Sequence, residues 1–133
     1  MKQGLDSLVG EATAARAQAY APYSNYQVGS AVLADDGRSF RGANIENASY
    51  GLTVCAERNA VAAAVLAGVR KIIAVAVVTD SSPPAAPCGI CRQTIAEFAA
   101  DDCVVVMQNT SGLERRMTLG ELLPSAFRSE ALR

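Results

Sequence analysis

No histidine occurs among the 133 residues of the sequence. Any catalytic scheme that requires an imidazole is therefore excluded. The chain also lacks an excess of charge, because 12 lysine and arginine residues nearly balance 13 aspartate and glutamate residues and leave a net charge of −1. Without a basic patch, and with an isoelectric point of about 5.4, the sequence is not that of a dedicated nucleic-acid-binding protein.

Long apolar segments are missing as well. No stretch is long and apolar enough to cross a bilayer, and residues 1–20 contain no apolar run typical of a signal peptide. We therefore expect a cytoplasmic protein without membrane contact. In that reducing setting the four cysteines are expected to bind metal or to stay free rather than to form disulfides.

The hydrophobic content, 50% of the residues, is sufficient for one core, and we expect a single domain over residues 1–133. Helical spacing of apolar residues predicts an amphipathic helix over the first twenty residues. The remaining patterns predict a β-hairpin, two helices, two buried strands and a short capped helix in βαβ order. In chain order, these elements are Val28–Ala34, Arg38–Ala43, Cys55–Ala67, Ile72–Val78, Cys88–Ala99, Cys103–Met107 and a helix that Thr118 and Glu121 cap and Pro124 ends.

The second helix has an unusual apolar half. Residues Ala60–Ala67 are all alanine, valine or leucine, so the helix is apolar on every face. Such a helix is expected to be buried on every side. Either the sheet of the same chain covers it, or a neighbouring subunit covers part of it.

Three cysteines and one glutamate carry the chemical signal of the sequence. Cys55-Ala56-Glu57 is followed about thirty residues later by Pro87-Cys88-Gly89-Ile90-Cys91. Three thiolates can hold a zinc ion and leave its fourth position open for water, whose pKa the metal lowers towards neutrality. Glu57 lies close enough in sequence to exchange protons with that water.

The local context of these cysteines supports a metal site. Cys88 and Cys91 are three residues apart, so that both sulfurs face one side of a helix, and Cys55 and Cys88 each begin a predicted helix. The positive end of a helix dipole favours the thiolate. Arg58 and Arg92 are spaced to reach the ligand sulfurs and to offset their negative charge.

A structural zinc site or a redox pair is the alternative interpretation. A structural zinc normally has four protein ligands, and Cys103 is the remaining cysteine that could be the fourth. Cys103 opens an apolar strand, however, which favours a small core residue. A redox pair gives no reason for Glu57 to follow Cys55 at this spacing.

At this point the residues resemble a known family. The segment from Asn44 to Arg58, which contains Asn-Ile-Glu-Asn-Ala-Ser-Tyr-Gly-Leu-Thr-Val-Cys-Ala-Glu-Arg, is similar to the core of the small zinc-dependent cytidine deaminases. Pro87-Cys88-Gly89-Ile90-Cys91-Arg92-Gln93 resembles the second motif of that family. The resemblance extends to Tyr20–Gly29 and to Glu121–Phe127, and so covers nearly the whole chain.

The resemblance implies an activity and an architecture. Enzymes of this family hydrolyse cytidine and deoxycytidine to uridine and deoxyuridine with release of ammonia, in pyrimidine salvage. It implies an α/β fold, namely a three-layer helix–sheet–helix sandwich with a mixed sheet of about five strands. It also implies one zinc ion per chain, a nucleoside substrate, and a homotetramer whose sites are shared between subunits.

The resemblance assigns roles to individual residues. Cys55, Cys88 and Cys91 would be the zinc ligands, Glu57 the proton shuttle, and Arg58 a hydrogen-bond donor to a ligand sulfur. Further positions would bind substrate: Asn44 and Glu46 at the ribose hydroxyls, Tyr26 at the base, Phe127 in the site of a neighbouring subunit, and Ala56 as a further substrate-binding residue. Two residues depart from the family pattern, because Tyr26 replaces a phenylalanine and Arg128 replaces a glycine.

Other interpretations remain open. From the residues alone, Asn44 could end a strand, Glu46 could be a solvated loop acid, and Phe127 could be a core anchor. A related aminonucleoside deaminase, such as a blasticidin S deaminase, would use the same zinc and glutamate. A polynucleotide deaminase would need a basic strand-binding groove. The non-enzymatic alternative is a zinc-stabilised interaction module.

Overall fold

Five strands form one sheet in the computed structural model, which describes residues 2–132. Residues 1 and 133, which the single-domain prediction includes, lie outside the described residues. The strand order across the sheet is β2-β1-β3-β4-β5. The strands are β1 Gly29–Ala34, β2 Ser39–Ala43, β3 Ile72–Thr79, β4 Val104–Asn109 and β5 Glu114–Thr118.

The sheet is mixed. Strands β3 and β4 pair in parallel, with Val77 opposite Met107, and α3 (Gly89–Phe98) connects them as a βαβ unit. All other neighbouring strands pair antiparallel. Because β1 is antiparallel to both β2 and β3, the strands β2 and β3 run in the same direction, and α2 (Ala56–Leu66) connects them across β1.

The helices cover both faces of the sheet. Helix α1 (Lys2–Arg16) packs on one face against β1 and β3, whereas α2 packs on the opposite face and contacts α3. The short helix α4 (Leu119–Leu122) follows β5 and packs beside α3. Single 3₁₀ turns occur at Tyr50–Leu52 and Ser129–Leu132. This arrangement confirms the predicted three-layer α/β sandwich with a mixed five-stranded sheet.

The core lies in two layers on either side of β3. Apart from Ile73, every residue of β3 is buried, as expected for a central strand of β-branched residues with helices on both faces. Small side chains let α2 approach β2 closely. A Cβ at Gly42 would lie 2.3 Å from the Ala60 nitrogen and 2.4 Å from the Ala56 oxygen. Glycine therefore fixes the distance between the sheet and the first turns of α2.

Two helix ends carry the features that the sequence indicates. Gly68 follows α2 with φ +96, a conformation that glycine adopts without strain. At α4, the Thr118 side chain accepts a hydrogen bond from the Glu121 backbone N–H, while the Glu121 carboxylate accepts one from the Thr118 backbone N–H. The predicted capping box is thus confirmed.

The structure corrects one helix boundary, adds one strand and leaves one question about α2 open. Helix α1 ends at Arg16, not near residue 20, because the Tyr20 backbone bonds with Asn44 and Glu46 and leaves the helical path. Strand β5 was not predicted from the pattern, because its Glu-Arg-Arg-Met-Thr sequence is that of a charged edge strand without apolar alternation. The chain's own sheet does not cover helix α2 completely, since Leu66 is 91% exposed, so the alternative that a neighbouring subunit covers part of this helix stays a prediction.

In the described part of the chain, no helix has the length and apolar character needed to span a bilayer.

Candidate active site

The sulfurs of three cysteines converge at the N-termini of two helices. Cys55 is the N-cap residue of α2 and Cys88 is the N-cap residue of α3, while Cys91 lies in the first turn of α3. The backbone carbonyls of Cys55 and Cys88 accept the first helical hydrogen bonds, from Asn59 and Arg92. All three sulfurs lie within 4.8 Å of one another, and the Cys88 and Cys91 sulfurs are 3.5 Å apart.

Negative charge is stabilised at this cluster. The thiol of Cys91 donates a hydrogen bond that, together with Cys88 and Arg58, lowers the pKa of Cys55 to about 5. The pKa of Cys91 is raised, chiefly because its proton is held by Cys55. The cluster therefore favours the thiolate form of Cys55, the form of cysteine that binds a metal ion.

Arg58 contributes positive charge beside the cluster. One of its terminal nitrogens donates a hydrogen bond to the Thr53 carbonyl at 3.0 Å. Its Nε is buried without a hydrogen-bond partner among the described residues. The buried Nε of this cation favours a nearby anion, and the Cys55 thiolate, whose pKa Arg58 lowers, is such a group.

The fourth cysteine is part of the core and not of this cluster. Cys103 is 2% exposed and packs among the apolar residues between the sheet and α2, α3 and α4. Burial raises the pKa of its thiol to about 12. The structure thus confirms that Cys103 is a small core residue, as its apolar strand indicates.

Glu57 lies in the first turn of α2, with its side chain lining the same cavity as the three cysteines. The residue is 5% exposed, and burial raises the pKa of its carboxyl to about 7. A carboxyl group with a pKa near neutrality can both accept and release a proton at physiological pH. Glu57 therefore places a carboxyl group of near-neutral pKa in the same cavity as the three cysteines.

The cavity above the cluster has a volume of about 210 Å³ and mostly apolar walls. Helices α2 and α3 provide one end, where the cysteines and Glu57 lie. Aromatic, small and hydroxyl-bearing residues provide the other walls. The remaining lining residues are Tyr26, Val28, Asn44, Thr53, Ala56, Val77, Thr79, Ala85 and Ala86.

A second cavity, of about 400 Å³, adjoins the first at Thr53, which lines both. Glu46 lies in it, together with Tyr23, Ser24 and Tyr50. The Glu46 carboxylate accepts hydrogen bonds from the Ser24 hydroxyl and from the backbone N–H groups of Tyr23 and Ser24. These bonds, the Ser24 hydroxyl first, hold the pKa of Glu46 below its ordinary value. The second cavity therefore contains a fixed carboxylate.

Comparison with known proteins agrees with this geometry. Residues 3–107 match the family described as the cytidine and deoxycytidylate deaminase zinc-binding region. This match spans more than half of the chain and includes both cysteine motifs. The chain belongs to the cytidine deaminase family.

Three similar proteins match this chain over more than nine-tenths of both lengths. A cytidine deaminase of Halalkalibacterium halodurans is 52% identical, with 92% of this chain and 93% of the relative aligned. The crystal structure of a cytidine deaminase from Burkholderia pseudomallei has a TM-score of 0.88 at 48% identity, covering 92% of this chain and 98% of that one. For a Mycobacterium tuberculosis cytidine deaminase structure, the TM-score is 0.80 at 42% identity, with coverages of 92% and 96%.

The donor set of this cytidine deaminase-family chain fits one zinc ion. Tetrahedral zinc with Zn–S bonds of about 2.3 Å places its sulfur ligands about 3.8 Å apart. The three sulfurs, all within 4.8 Å of one another, already approach this spacing. Three protein ligands are typical of a catalytic zinc, which keeps its fourth position for water or substrate. The cofactor of this family site is therefore zinc, one ion per chain.

The structure places most of the sequence-predicted residues around the two cavities. Tyr26, Asn44 and Ala56 line the cavity of the cysteines, and Glu46 lines the adjoining one. The Asn44 side chain donates a hydrogen bond to the Tyr26 carbonyl at 2.8 Å and accepts one from the Val28 N–H at 2.9 Å. Asn44 therefore also fixes the backbone that carries Tyr26.

Arg92 forms hydrogen bonds with two backbone carbonyls. Its guanidinium donates hydrogen bonds of 2.7 Å to the carbonyls of Pro87 and Leu122, instead of reaching a ligand sulfur. That Arg92 offsets the charge of the ligand sulfurs therefore stays a prediction. Its position four residues after Cys88 places Arg92 on the side of α3 that faces Cys88. The carbonyls of Pro87 and Leu122 accept its hydrogen bonds there. Arg92 therefore joins the residue before Cys88 to the end of α4.

Phe127 lies outside both cavities of the single chain and is 59% exposed. This exposure excludes the alternative that Phe127 is a core anchor. Its backbone carbonyl accepts a hydrogen bond from Gln93 of α3 at 2.7 Å. The next residue, Arg128, donates to the carbonyls of Ala96 and Ala99 and to the Asp101 carboxylate. The C-terminal segment is thus fixed along α3.

Sequence reasoning missed several hydroxyl-bearing residues at the site. Ser24 binds Glu46, Thr53 lies between the two cavities, and Thr79 and Ser81 form hydrogen bonds at the Tyr26 wall. Each is an ordinary serine or threonine in a loop or at a strand end. Their roles arise from contacts between distant segments, so no local pattern indicates them.

Proposed function

We propose that this protein catalyses the zinc-dependent hydrolytic deamination of cytidine and deoxycytidine to uridine and deoxyuridine, with release of ammonia, in pyrimidine salvage. The observation that carries the proposal is the convergence of three cysteine sulfurs and a buried glutamate at one end of a single cavity. The match to the cytidine deaminase family over residues 3–107 supports the same reaction.

Cys55, Cys88 and Cys91 are proposed to hold the zinc ion. Zinc in such a site supplies a Lewis acid that lowers the pKa of water towards neutrality. The helix N-termini at Cys55 and Cys88 and the guanidinium of Arg58 stabilise the thiolate charge. All four cysteines are free thiols, which supports placing the protein in a reducing compartment, the cytoplasm.

Glu57 is proposed as the proton carrier of the reaction. Its carboxylate accepts a proton from the attacking water and delivers it to ring N3 as the water oxygen adds to C4. The carboxylate then takes the second proton of the added water from the C4 hydroxyl and delivers it to the amino group, so that the C4–N bond breaks, ammonia leaves and the C4 carbonyl of the product forms. One buried residue near the metal ligands thereby serves both transfers, and acid–base assistance of this kind typically contributes ~10²–10⁴-fold.

The two adjoining cavities suggest how a nucleoside is oriented. We propose that the base enters the cavity of the cysteines, between Tyr26 and Ala56, and that the sugar occupies the cavity of Glu46. The preformed hydrogen bonds of Ser24 keep Glu46 ionised and oriented, so that it can accept hydrogen bonds from ribose hydroxyls. We call the cavity of the cysteines the base cavity. Asn44 lines it, and we propose that Asn44 and Glu46 together bind the ribose hydroxyls.

We propose that residues 1–133 form one catalytic domain that assembles into a homotetramer with shared sites. Exposed apolar side chains support this assembly, notably Leu66 at 91% and Phe127 at 59%. Phe127 is proposed to enter the site of a neighbouring subunit. Sedimentation at micromolar concentration tests the assembly, and a fully active monomer would refute it.

The decisive experiment is an ultraviolet assay of the zinc-loaded protein with cytidine, deoxycytidine, cytosine and blasticidin S. Turnover of both nucleosides, with little turnover of free cytosine, is expected because cytosine lacks the sugar that Glu46 binds. The Glu46→Ala variant should lose at least about tenfold in kcat/KM for cytidine, the scale of a lost hydrogen bond to a charged group. Preferential turnover of blasticidin S would instead favour the related aminonucleoside deaminases.

Chelation separates an enzyme from a zinc-stabilised interaction module. Neither core layer includes Cys55, Cys88 or Cys91, so metal removal should abolish activity while far-ultraviolet circular dichroism stays close to that of the loaded protein. Global unfolding on chelation would indicate a structural site.

A further inference from the structure

The aromatic wall of the base cavity is held by hydrogen bonds at three points. The Tyr26 backbone N–H donates to the Ser24 hydroxyl oxygen at 3.0 Å, and the Tyr26 carbonyl accepts from Asn44 at 2.8 Å. Its phenolic hydroxyl lies 2.9 Å from the hydroxyl oxygen of Ser81. The first two bonds fix the backbone, and the third fixes the outer end of the ring.

The hydrogen bond of the phenol continues to the sheet. The Ser81 hydroxyl is 2.7 Å from the Thr79 hydroxyl, and the Ser81 backbone N–H donates to Thr79 Oγ1 at 3.3 Å. Thr79 is the last residue of β3, is 2% exposed and itself lines the base cavity. The outer end of the Tyr26 ring is therefore connected, through Ser81, to a buried residue of the central strand.

This connection joins two separate segments of the cavity wall. Tyr26 belongs to the loop between α1 and β1, whereas Ser81 belongs to the loop between β3 and α3, which also places Ala85 and Ala86 in the cavity. Arg16, which does not line the cavity, braces the same loops through the Gln27 carbonyl and Asp80. The distance between the two segments sets the width of the cavity.

We infer that the Tyr26 hydroxyl, Ser81 and Thr79 form a tether that fixes the width of the base cavity and thereby determines which ring substituents the enzyme accepts. The inference rests on the proposed function, because the cavity width matters only if a pyrimidine base occupies it. Tyr26 forms the wall itself, and Ser81 and Thr79 are positioning residues that act through it.

The tether predicts a defined kinetic effect. Phenylalanine at position 26 keeps the aromatic ring and loses only the hydroxyl, and alanine at position 81 removes the partner oxygen. Either substitution removes the hydrogen bond between Tyr26 and Ser81, and neither alters Glu57 or the cysteines. Binding of the base should therefore weaken, while proton transfer is unaffected. Because the tether is partly exposed at the cavity mouth, the expected loss is that of one ordinary hydrogen bond, about three- to tenfold.

The experiment compares Tyr26→Phe, Ser81→Ala and the double variant with the zinc-loaded wild-type protein, using cytidine and 5-methylcytidine. Each single variant should raise KM for cytidine about three- to tenfold, with kcat changed less than about twofold. The double variant should match the single variants, because both remove the same bond.

The ratio of kcat/KM for 5-methylcytidine to that for cytidine should rise at least about threefold in all three variants, because a Tyr26 ring without this hydrogen bond can move outward. Calorimetric binding of uridine, the product, should weaken in parallel and requires no turnover.

Tyr20→Phe and Ser82→Ala are the matched controls. Both residues are exposed, and their hydroxyls form no hydrogen bond within residues 2–132. Both variants should therefore keep the wild-type KM for cytidine and the wild-type ratio of kcat/KM for 5-methylcytidine to that for cytidine. A fully active Tyr26→Phe enzyme with unchanged KM and unchanged ratio would overturn the tether and leave the deaminase proposal intact. Additive losses in the double variant would also overturn it. A wild-type protein inactive on every nucleoside would overturn both proposals.

Discussion

Replacement of Gly42 by alanine should displace the helix that carries Cys55 and Glu57. Gly42 lies in β2 directly beneath α2, and an added Cβ would lie 2.3 Å from the Ala60 nitrogen and 2.4 Å from the Ala56 oxygen. Ordinary contacts begin at 3.4 Å, so the methyl group is about 1 Å too close to two backbone atoms. Neither atom can move by a change of rotamer, and the helix itself must shift.

The magnitude follows from this shift. Overpacking of this kind costs about 1–3 kcal/mol of the free energy of unfolding. In a domain of this size, that loss lowers the melting temperature by about 4 °C per kcal/mol. A misplacement of about 1 Å in a catalytic group can reduce the rate by ~10²-fold. Gly42→Ala should therefore fold, melt about 4–12 °C lower, and lose most of its kcat/KM for cytidine.

Gly10→Ala provides the matched control for Gly42→Ala. Gly10 is exposed in α1, and a Cβ there would meet nothing within 4 Å. Alanine should stabilise the helix by about 0.5–1 kcal/mol without changing the activity. Calorimetric melting curves and steady-state kinetics on the three proteins decide the prediction. A Gly42→Ala enzyme with wild-type stability and wild-type kcat/KM would refute the claim that this glycine sets the height of α2 above the sheet.

Three further variants test other parts of the site. Cys103→Ser should keep one zinc ion per chain in metal analysis, because Cys103 lies in the core and outside the sulfur cluster. Glu57→Gln should keep zinc and product binding while kcat falls by at least ~10²–10⁴-fold, because an amide cannot accept the water proton. Arg128→Met should lower the free energy of unfolding by about 1–2 kcal/mol in urea titrations, because it removes hydrogen bonds to two carbonyls at the end of α3 and to Asp101.

Each of these variants has an outcome that contradicts its reasoning. Loss of zinc from Cys103→Ser would make the site a closed, four-cysteine structural site. Near-normal turnover of Glu57→Gln would mean that the proton follows another route. Arg115→Met is the control for Arg128→Met, because the Arg115 side chain is exposed and forms no hydrogen bond or ion pair within residues 2–132. Equal stability losses in the two arginine variants would show that the carbonyl bonds of Arg128 are not the cause.

The parts of the site that sequence reasoning identified depend on local geometry. Cys88 and Cys91 are three residues apart on one helix, and this spacing alone brings their sulfurs to one side. The N-cap positions of Cys55 and Cys88 follow from the apolar helices that begin after them. Periodicity likewise located four of the five strands. The fifth, β5, is an exposed edge strand whose charged residues give no apolar pattern.

Contacts between distant segments of the chain could not be predicted from local sequence patterns. Arg92 has the correct spacing for Cys88, but its position says nothing about the carbonyl of Leu122, thirty residues further on, which takes one of its donors. Tyr26 and Ser81 are 55 residues apart, and only the pairing of β1 with β3 brings their loops together. Such partners depend on the topology of the sheet and not on any local pattern.

The hydrogen bonds at Tyr26 suggest why two cavities can act as one site. Glu46 in the second cavity binds the Ser24 hydroxyl, whose oxygen accepts the hydrogen bond of the Tyr26 N–H in the first. The Tyr26 phenol then bonds to Ser81, which bonds to Thr79 at the end of β3. A sugar that moves the Glu46 side chain on binding would therefore also move Ser24 and Tyr26, the residue against which the base is proposed to lie. This continuity predicts that the losses of Glu46→Ala and Tyr26→Phe are not additive, whereas independent cavities would give additive losses.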